Sequence, residues 1–243
     1  MAKPGTGPAT GPESASSTGH ARGESARSEA TRKRLIDAGL RLFSRQGFDA
    51  VSTRALANAA KANLAAIPYH FQSKEGLYRA VAWRIVETVR PAMEHAVVEV
   101  RDRHADGVTD LARAREDVAL LVGALLEKIL AQRDKYEIGY FLLREQMQPT
   151  AAMDILYDEL IQPVHELMAR LVGPLRGKPE TDPDVIIEVQ ALYGEAIVFG
   201  VHRTTLIRRL GVKRLEDDHL ARIARVVRET LLRQFPLSEP PVL

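Results

Sequence analysis

From Thr31 to about Phe235 the large apolar residues recur three and four positions apart, and nowhere do they alternate with period two between hairpin turns. Helical spacing gathers apolar side chains on one face of each helix, whereas a half-buried strand needs strict alternation. The chain is therefore expected to be all-α. Its first apolar face is Leu35, Ile36, Gly39, Leu42 and Phe43, with Arg32, Lys33, Arg34, Arg41 and Arg45 mostly off it. Gly47 supplies the left-handed residue that ends many helices, and Phe48 and Val51 continue the apolar set across the connection.

Ser52 is a good N-cap for a short helix over about 53–60, with Leu56, Ala57 and Ala60 as its buried side. A three-residue break follows, Lys61-Ala62-Asn63, and Asn63 can cap a third short helix toward Phe71. Ser73 can cap again, opening a long amphipathic stretch through Leu77, Tyr78, Val81, Ile85, Val89, Met93 and Val97. Two short helices across a tight turn are the ingredients of a helix-turn-helix. Further helices are expected over about 109–133, 136–147, 150–172, 183–209 and 216–235, with breaks at Asp106-Gly107, Gln148-Pro149, Gly173-Pro174 to Pro183, and Gly211. Residues 1–28 hold no large apolar residue after Met1, so they are expected to form a disordered tail whose Lys3, Arg22 and Arg27 are solvated, with contact to DNA phosphates as the alternative. The expected organisation is a tail over 1–28, a helix-turn-helix domain over 29–78 and a larger helical domain over 79–243.

Charge follows this division. The net charge of +2 over 243 residues conceals 11 Lys+Arg against 6 Asp+Glu in residues 1–78, a net of +5, and 23 against 26 in the rest, a net of −3. Attraction to a polyanion depends on the local field, so the N-terminal part is the one expected to face nucleic acid. The chain has no cysteine, which excludes a disulfide framework, a thiolate metal site and a thiol redox switch. No apolar stretch approaches the ~18 residues of a membrane span, the longest being Val118–Leu126, and no apolar leader opens the chain, so a cytoplasmic protein without membrane contact is expected.

In a helix-turn-helix the second helix lies in the major groove and its inward residues pack on the first two helices. Ile67 and Phe71, four apart, are expected inward. That leaves Asn63, Leu64, Ala65, Ala66, Pro68, Tyr69 and His70 toward or beside the DNA. Arg54 is the side chain type best suited to bidentate guanine recognition. Lys74, at the start of the long helix, can meet a phosphate together with free backbone N–H groups.

The stretch Ala30–Val81 resembles the DNA-binding domain of TetR-type transcriptional regulators, above all in S-T-R-A-L-A-N-A-A at 52–60 and N-L-A-A-I-P-Y-H-F-Q-S-K-E-G-L-Y at 63–78. The run R-L-I-D-A-G-L-R-L-F-S-R-Q-G-F at 34–48 is similar to the family's first helix. The N-L-A-A-I-x-Y-H-F variant, with R-E-Q-M-Q-P-T at 144–150, resembles the CecR-like subgroup. The resemblance implies a homodimeric all-α repressor, a double-stranded palindromic operator, a small-molecule effector that releases it, and no catalytic role or cofactor. It places DNA contacts on Thr53, Arg54, Asn63, Leu64, Ala65, Ala66, Tyr69, His70 and Lys74. Two positions depart from the pattern. Lys61-Ala62 stands where the family commonly has Gly-Val, so a non-glycine residue must adopt the turn geometry at some cost. Pro68 replaces a frequent tyrosine and removes an N–H from the ladder if Asn63 is the cap.

The C-terminal domain offers Tyr140, Arg144, Met147, His165, Tyr193 and His202 as candidate effector contacts, since pockets between helices are apolar with a few placed polar groups. Ordinary core packing is the competing reading. Val185, Ile186, Val189, Leu192, Tyr193, Ala196, Ile197 and Gly200, with Leu220, Ile223, Val226, Val227, Thr230 and Leu231, are expected to form a dimer interface, with intramolecular core as the alternative. A dimetal helical enzyme wants a Glu-x-x-His pair on each of two helices, and only Glu216-x-x-His219 fits. Glu216, Asp217 and Asp218 read instead as acids at a helix start. An activator or ligand-independent regulator is the alternative to an inducible repressor.

Overall fold

Helix α1, Ser16–Gln46, begins inside the segment expected to be tail and runs through the first expected helix. The computed structural model describes residues 16–131 and 136–236, with side chains in α1 from residue 25 onward. Residues 16–28 thus prolong a helix whose anchored part starts near Leu35. Once a helix is nucleated, each added residue gains a backbone hydrogen bond without a new nucleus, and the extension needs no burial of its own. Residues 1–15, with Lys3, and the side chain of Arg22 lie outside this description.

Ten more α-helices follow among the described residues, and no strand. They are α2 Thr53–Ala59, α3 Ala66–Phe71, α4 Lys74–Arg103, α5 Leu111–Ala131, α6 Glu137–Met147, α7 Ala151–Leu156, α8 Gln162–Arg176, α9 Pro183–Val201, α10 Arg203–Leu210 and α11 Asp217–Gln234. The single helix expected over 150–172 is divided by a π-helical turn at Tyr157–Ile161, where the Gln162 N–H donates to the Tyr157 carbonyl. Arg90 of α4 pairs with Glu159 in that turn. The break expected at Gly173-Pro174 is absent. Pro174 lies inside α8, which ends at Gly177 in the left-handed region at φ 64°. Proline fixes a helical φ and so close to the helix end removes one hydrogen bond without stopping the chain. The helix expected over 183–209 bends by 66° at His202, separating α9 from α10.

Two apolar cores result. The first joins Leu35, Phe43, Leu56, Ile67, Leu77 and Ile85 of the N-terminal helices to Phe141, Ala152, Ile155 and Leu156 of α6 and α7. It therefore extends well past the expected boundary at residue 78. Tyr78 sits at its centre, with its ring centroid 4.8 Å from those of both Phe43 and Phe141. The second core is built by α5, α8, α9 and α11.

Helix α4 leads away from the helix-turn-helix and ends where Arg103 and His104 meet the buried Asp117 of α5. Helix α5 then returns toward the DNA-binding end. Helix α9 ends beside it, since a Cβ on Gly200 would stand 2.8 Å from Ile129 and Arg203 Nη1 is 3.5 Å from the Leu130 carbonyl. Helix α11 finishes at the far end, where the Leu232 carbonyl accepts from Arg115.

The expected dimer face divides in two. Val185, Val189, Leu192, Ala196, Ile223, Val227 and Leu231 are buried in the protomer's own core, because α5 and α8 already cover that side of α9 and α5 covers that side of α11. Ile186, Ile197 and Val226 of the expected set stay exposed, joined by Ile187, Val198 and Val201.

Candidate nucleic-acid interface

Local chemistry sets the helix-turn-helix. The Ser52 hydroxyl accepts from the Ala55 N–H at 3.1 Å, fixing the start of α2. At its end Lys61 takes a positive φ of 50°, as the missing glycine required, and the Ala62 N–H closes the turn onto the Ala57 carbonyl at 2.9 Å. Arg34 of α1 donates to the Ala60 carbonyl at 3.1 Å, tying the turn to the first helix.

The third helix starts later than expected. Asn63 Oδ1 accepts from the Ala65 N–H at 3.0 Å, which organises the turn before the helix rather than capping its first residue. Helix α3 itself opens at Ala66, so Pro68 is its third residue. The first N–H groups of a helix have no intrahelical partner, so Pro68 costs no ladder bond. Gln72 ends α3 at φ 67°. Ser73 then caps α4 by accepting from the Gly76 N–H at 3.0 Å. A Cβ on Gly76 would overlap the Phe71 carbonyl oxygen, so only glycine lets the two helices meet this closely.

Ile67 and Phe71 are buried, as their spacing required. Where α2 meets the turn into α3 there is a shallow groove lined by Thr53, Asn63, Leu64, Ala65, Pro68 and the edge of Ile67. Thr53 of α2 thus stands beside the turn residues leading into α3. Arg54, Asn63, Leu64 and Ala65 are exposed, while Ala66 and His70 are half-buried. Tyr69 is 78% exposed, its ring held edge-on against His70 with centroids 4.8 Å apart. Lys74 rests its ammonium 4.2 Å above the Phe48 ring, so it leaves a cation–π contact to reach anything else.

The six residues considered for an effector are not brought together. Tyr140 and Met147 are 54% and 74% exposed on α6, and His202 is exposed at the α9–α10 bend. Arg144 turns away from the C-terminal domain, donating to the Arg45 carbonyl at 3.3 Å. His165 and Tyr193 do meet, with ring centroids 4.7 Å apart between α8 and α9. Burial holds the His165 imidazole below its usual pKa and pushes the Tyr193 phenol up to about 12.

Sequence reading missed the residues that join the helix-turn-helix to α6. Glu145 is fully buried and accepts from the Tyr78 hydroxyl, and from both the N–H and hydroxyl of Thr150 at 3.0 and 2.9 Å. The one signal in the sequence is its helical spacing from Phe141 and Leu142, which puts a carboxylate on an apolar face of α6. Glu216 and His219 prove to be a reciprocal helix cap: the Glu216 side chain accepts from the His219 backbone and the Glu216 N–H faces His219 Nδ1 at 3.3 Å.

A three-helix unit with an exposed second helix, carried by a larger helical domain, defines a helix-turn-helix DNA-binding regulator. Residues 35–81 match the family described as bacterial regulatory proteins, tetR family, and residues 114–234 match the C-terminal domain of the HTH-type transcriptional dual regulator CecR. The chain belongs to the TetR family of transcriptional regulators, in its CecR-like group.

It is 32% identical over 190 residues to the HTH-type transcriptional dual regulator CecR of Shigella flexneri, covering 78% of this chain and 84% of that protein. It is also 32% identical over 117 residues to the nicotine-responsive transcriptional repressor HdnoR of Paenarthrobacter nicotinovorans, 46% of this chain and 55% of that one. The fold is shared with AibR in complex with isovaleryl coenzyme A and operator DNA, at TM-score 0.57, 13% identity and coverage of 83% and 98%. PfmR of Thermus thermophilus gives TM-score 0.54 at 18% identity, with coverage of 86% and 98%.

Proposed function

We propose that this regulator acts in the cytoplasm as a homodimeric repressor, binds a palindromic operator through α2 and α3, and is released by a small molecule. The observation that carries the reading is the outward face of the helix-turn-helix. Arg54 has no hydrogen-bond or ion-pair partner among the described residues, and Tyr69 projects into solvent from a helix whose other side is buried. Thr53, Asn63, Leu64, Ala65 and Ala66 fill the space between them, small or apolar enough for close approach to thymine methyls and backbone. His70 and Lys74 complete the surface at its edge. Specificity then rests on Arg54, Tyr69 and DNA shape more than on a dense set of base hydrogen bonds.

Dimerisation is assigned to the uncovered side of α9. Ile187, Ala191, Gly194, Val198 and Val201 recur at helical spacing and all are exposed, a stripe that a second copy would cover isologously. The effector is assigned to the neighbourhood of His165 and Tyr193, supported by their ring contact inside the C-terminal domain. Effector binding must favour the form that binds DNA less well, because only differential affinity moves an equilibrium. Tilting α4 would change the separation of the two α3 helices from the roughly 34–36 Å of one DNA turn.

One observation favours a second reading, in which the protein also activates: the CecR relative is a dual regulator. Selection of duplexes from a random library by the full-length protein, followed by footprinting, tests the common part. Two symmetric half-sites about one turn apart are expected, and recovery of unrelated sequences would refute operator binding.

A further inference from the structure

The acidic balance of the C-terminal domain is not uniform along the chain. Residues 203–214 hold Arg203, Arg208, Arg209, Lys213 and Arg214 and no acid, a local +5 inside a domain whose net charge is −3. Arg214 pairs with Glu216 and Arg203 faces the Leu130 carbonyl. Arg208, Arg209 and Lys213 are exposed and have no ion-pair partner among the described residues. Leu206, Ile207 and Val212 pack against the core, so α10 is anchored by its apolar side with its cations outward.

The position of α10 gives that charge a direction. From Asp117, opposite the far end of α4, helix α5 runs 14 residues to Ala131, which carries its end roughly 21 Å back toward the helix-turn-helix. Gly200 and Arg203 fasten the start of α10 to this end of α5. Helix α10 therefore joins α9 to α11 on the side of the C-terminal domain that faces the DNA-binding unit. It also follows directly on Val201, the last residue of the exposed α9 stripe. In a dimer formed through that stripe, two copies of α10 lie on either side of the symmetry axis, between the two helix-turn-helix units.

We infer that α10 is a second, sequence-independent DNA-contact surface, in which Arg208, Arg209 and Lys213 meet phosphates of the operator between its half-sites. The inference rests on the dimeric, DNA-binding reading given above. Such contacts contribute to affinity through counterion release and add nothing to base readout.

The test is the salt dependence of binding by the full-length protein to a duplex selected with that protein. Removing one phosphate interaction makes the slope of log K against log salt shallower by about 0.9. Arg208→Ala/Arg209→Ala/Lys213→Ala is expected to reduce the slope by about 1.8 or more, because each protomer then gives up at least one phosphate. Between 50 and 200 mM salt the affinity loss then shrinks about tenfold, while the preferred sequence is unchanged. Arg208→Lys/Arg209→Lys retains the charges and is expected to keep the wild-type slope, which a structural role for the arginines would not. An unchanged slope in the triple alanine variant overturns the inference while leaving operator binding intact. Failure of the wild-type protein to bind any selected duplex overturns the functional reading and the inference with it. Loss of binding to anionic phosphatidylserine vesicles with an unchanged DNA slope reassigns α10 to a membrane surface and also overturns it.

Discussion

The Tyr78 hydroxyl donates a 2.5 Å hydrogen bond to the Glu145 carboxylate, joining the first turn of α4 to the end of α6 across 67 positions of sequence. Beside it, Arg144 reaches the last turn of α1 at the Arg45 carbonyl. Two consecutive residues of α6 thus hold both helices that carry the recognition unit. Burial, reinforced by Glu145, holds the Tyr78 phenol well above its ordinary pKa, so it stays a proton donor. Tyr78→Phe removes that donor and leaves a buried carboxylate oxygen unsatisfied, at an expected cost of about 1–3 kcal/mol. Urea unfolding measures it, and a change within error would show that the bond is structurally idle.

The turn of the helix-turn-helix and the start of α4 predict two substitutions of opposite sign. Lys61 occupies a conformation that favours glycine, so Lys61→Gly is expected to stabilise by about 0.5–1 kcal/mol. Gly76→Ala forces a Cβ onto the Phe71 carbonyl and is expected to destabilise by about 2–3 kcal/mol. Thermal unfolding of both variants settles the signs, and equal effects in one direction would contradict the geometry.

Much of this region was legible in the sequence because its signals are local. The Ser52 and Ser73 caps, the strained Lys61 turn and the inward Ile67 and Phe71 each follow from residues within four positions of one another. The start of α3 was misplaced because Asn63 can organise a turn as readily as cap a helix, and both use the same side-chain oxygen. The Tyr78–Glu145 bond, the π turn braced by Arg90 and the burial of half the expected dimer face were not legible. Each depends on which distant helix covers a given side, and periodicity identifies an apolar face without naming its neighbour.

The uncovered stripe of α9 predicts the oligomeric state. Ile187→Glu/Val198→Glu places two charges on exposed positions outside both apolar cores, so the protomer fold is expected to persist. Sedimentation is expected to show a dimer for the natural chain and a monomer for the variant. A variant that remains dimeric would move the interface elsewhere.

His165 predicts a pH dependence. Its pKa is lowered in the folded protein by burial, so the unfolded chain binds a proton more readily. Stability from this group is present above the ordinary imidazole value of about 6.5 and declines as pH falls below it, toward the depressed native value. The slope for one proton approaches about 1.4 kcal/mol per pH unit. His165→Phe keeps a ring against Tyr193 and is expected to flatten this component between pH 7 and 5. Parallel unfolding curves of variant and natural protein in that range would contradict the assignment.

The central claim is that the exposed face of α2 and α3 reads an operator, and Arg54 tests it most directly. Full-length protein and its Arg54→Ala variant are titrated by fluorescence anisotropy against the selected duplex and a set carrying one base change at a time. The account predicts that the variant loses about 1–3 kcal/mol of binding, roughly five- to 150-fold, and no longer discriminates at one symmetric base pair. Equal affinities with an unchanged base preference would contradict it.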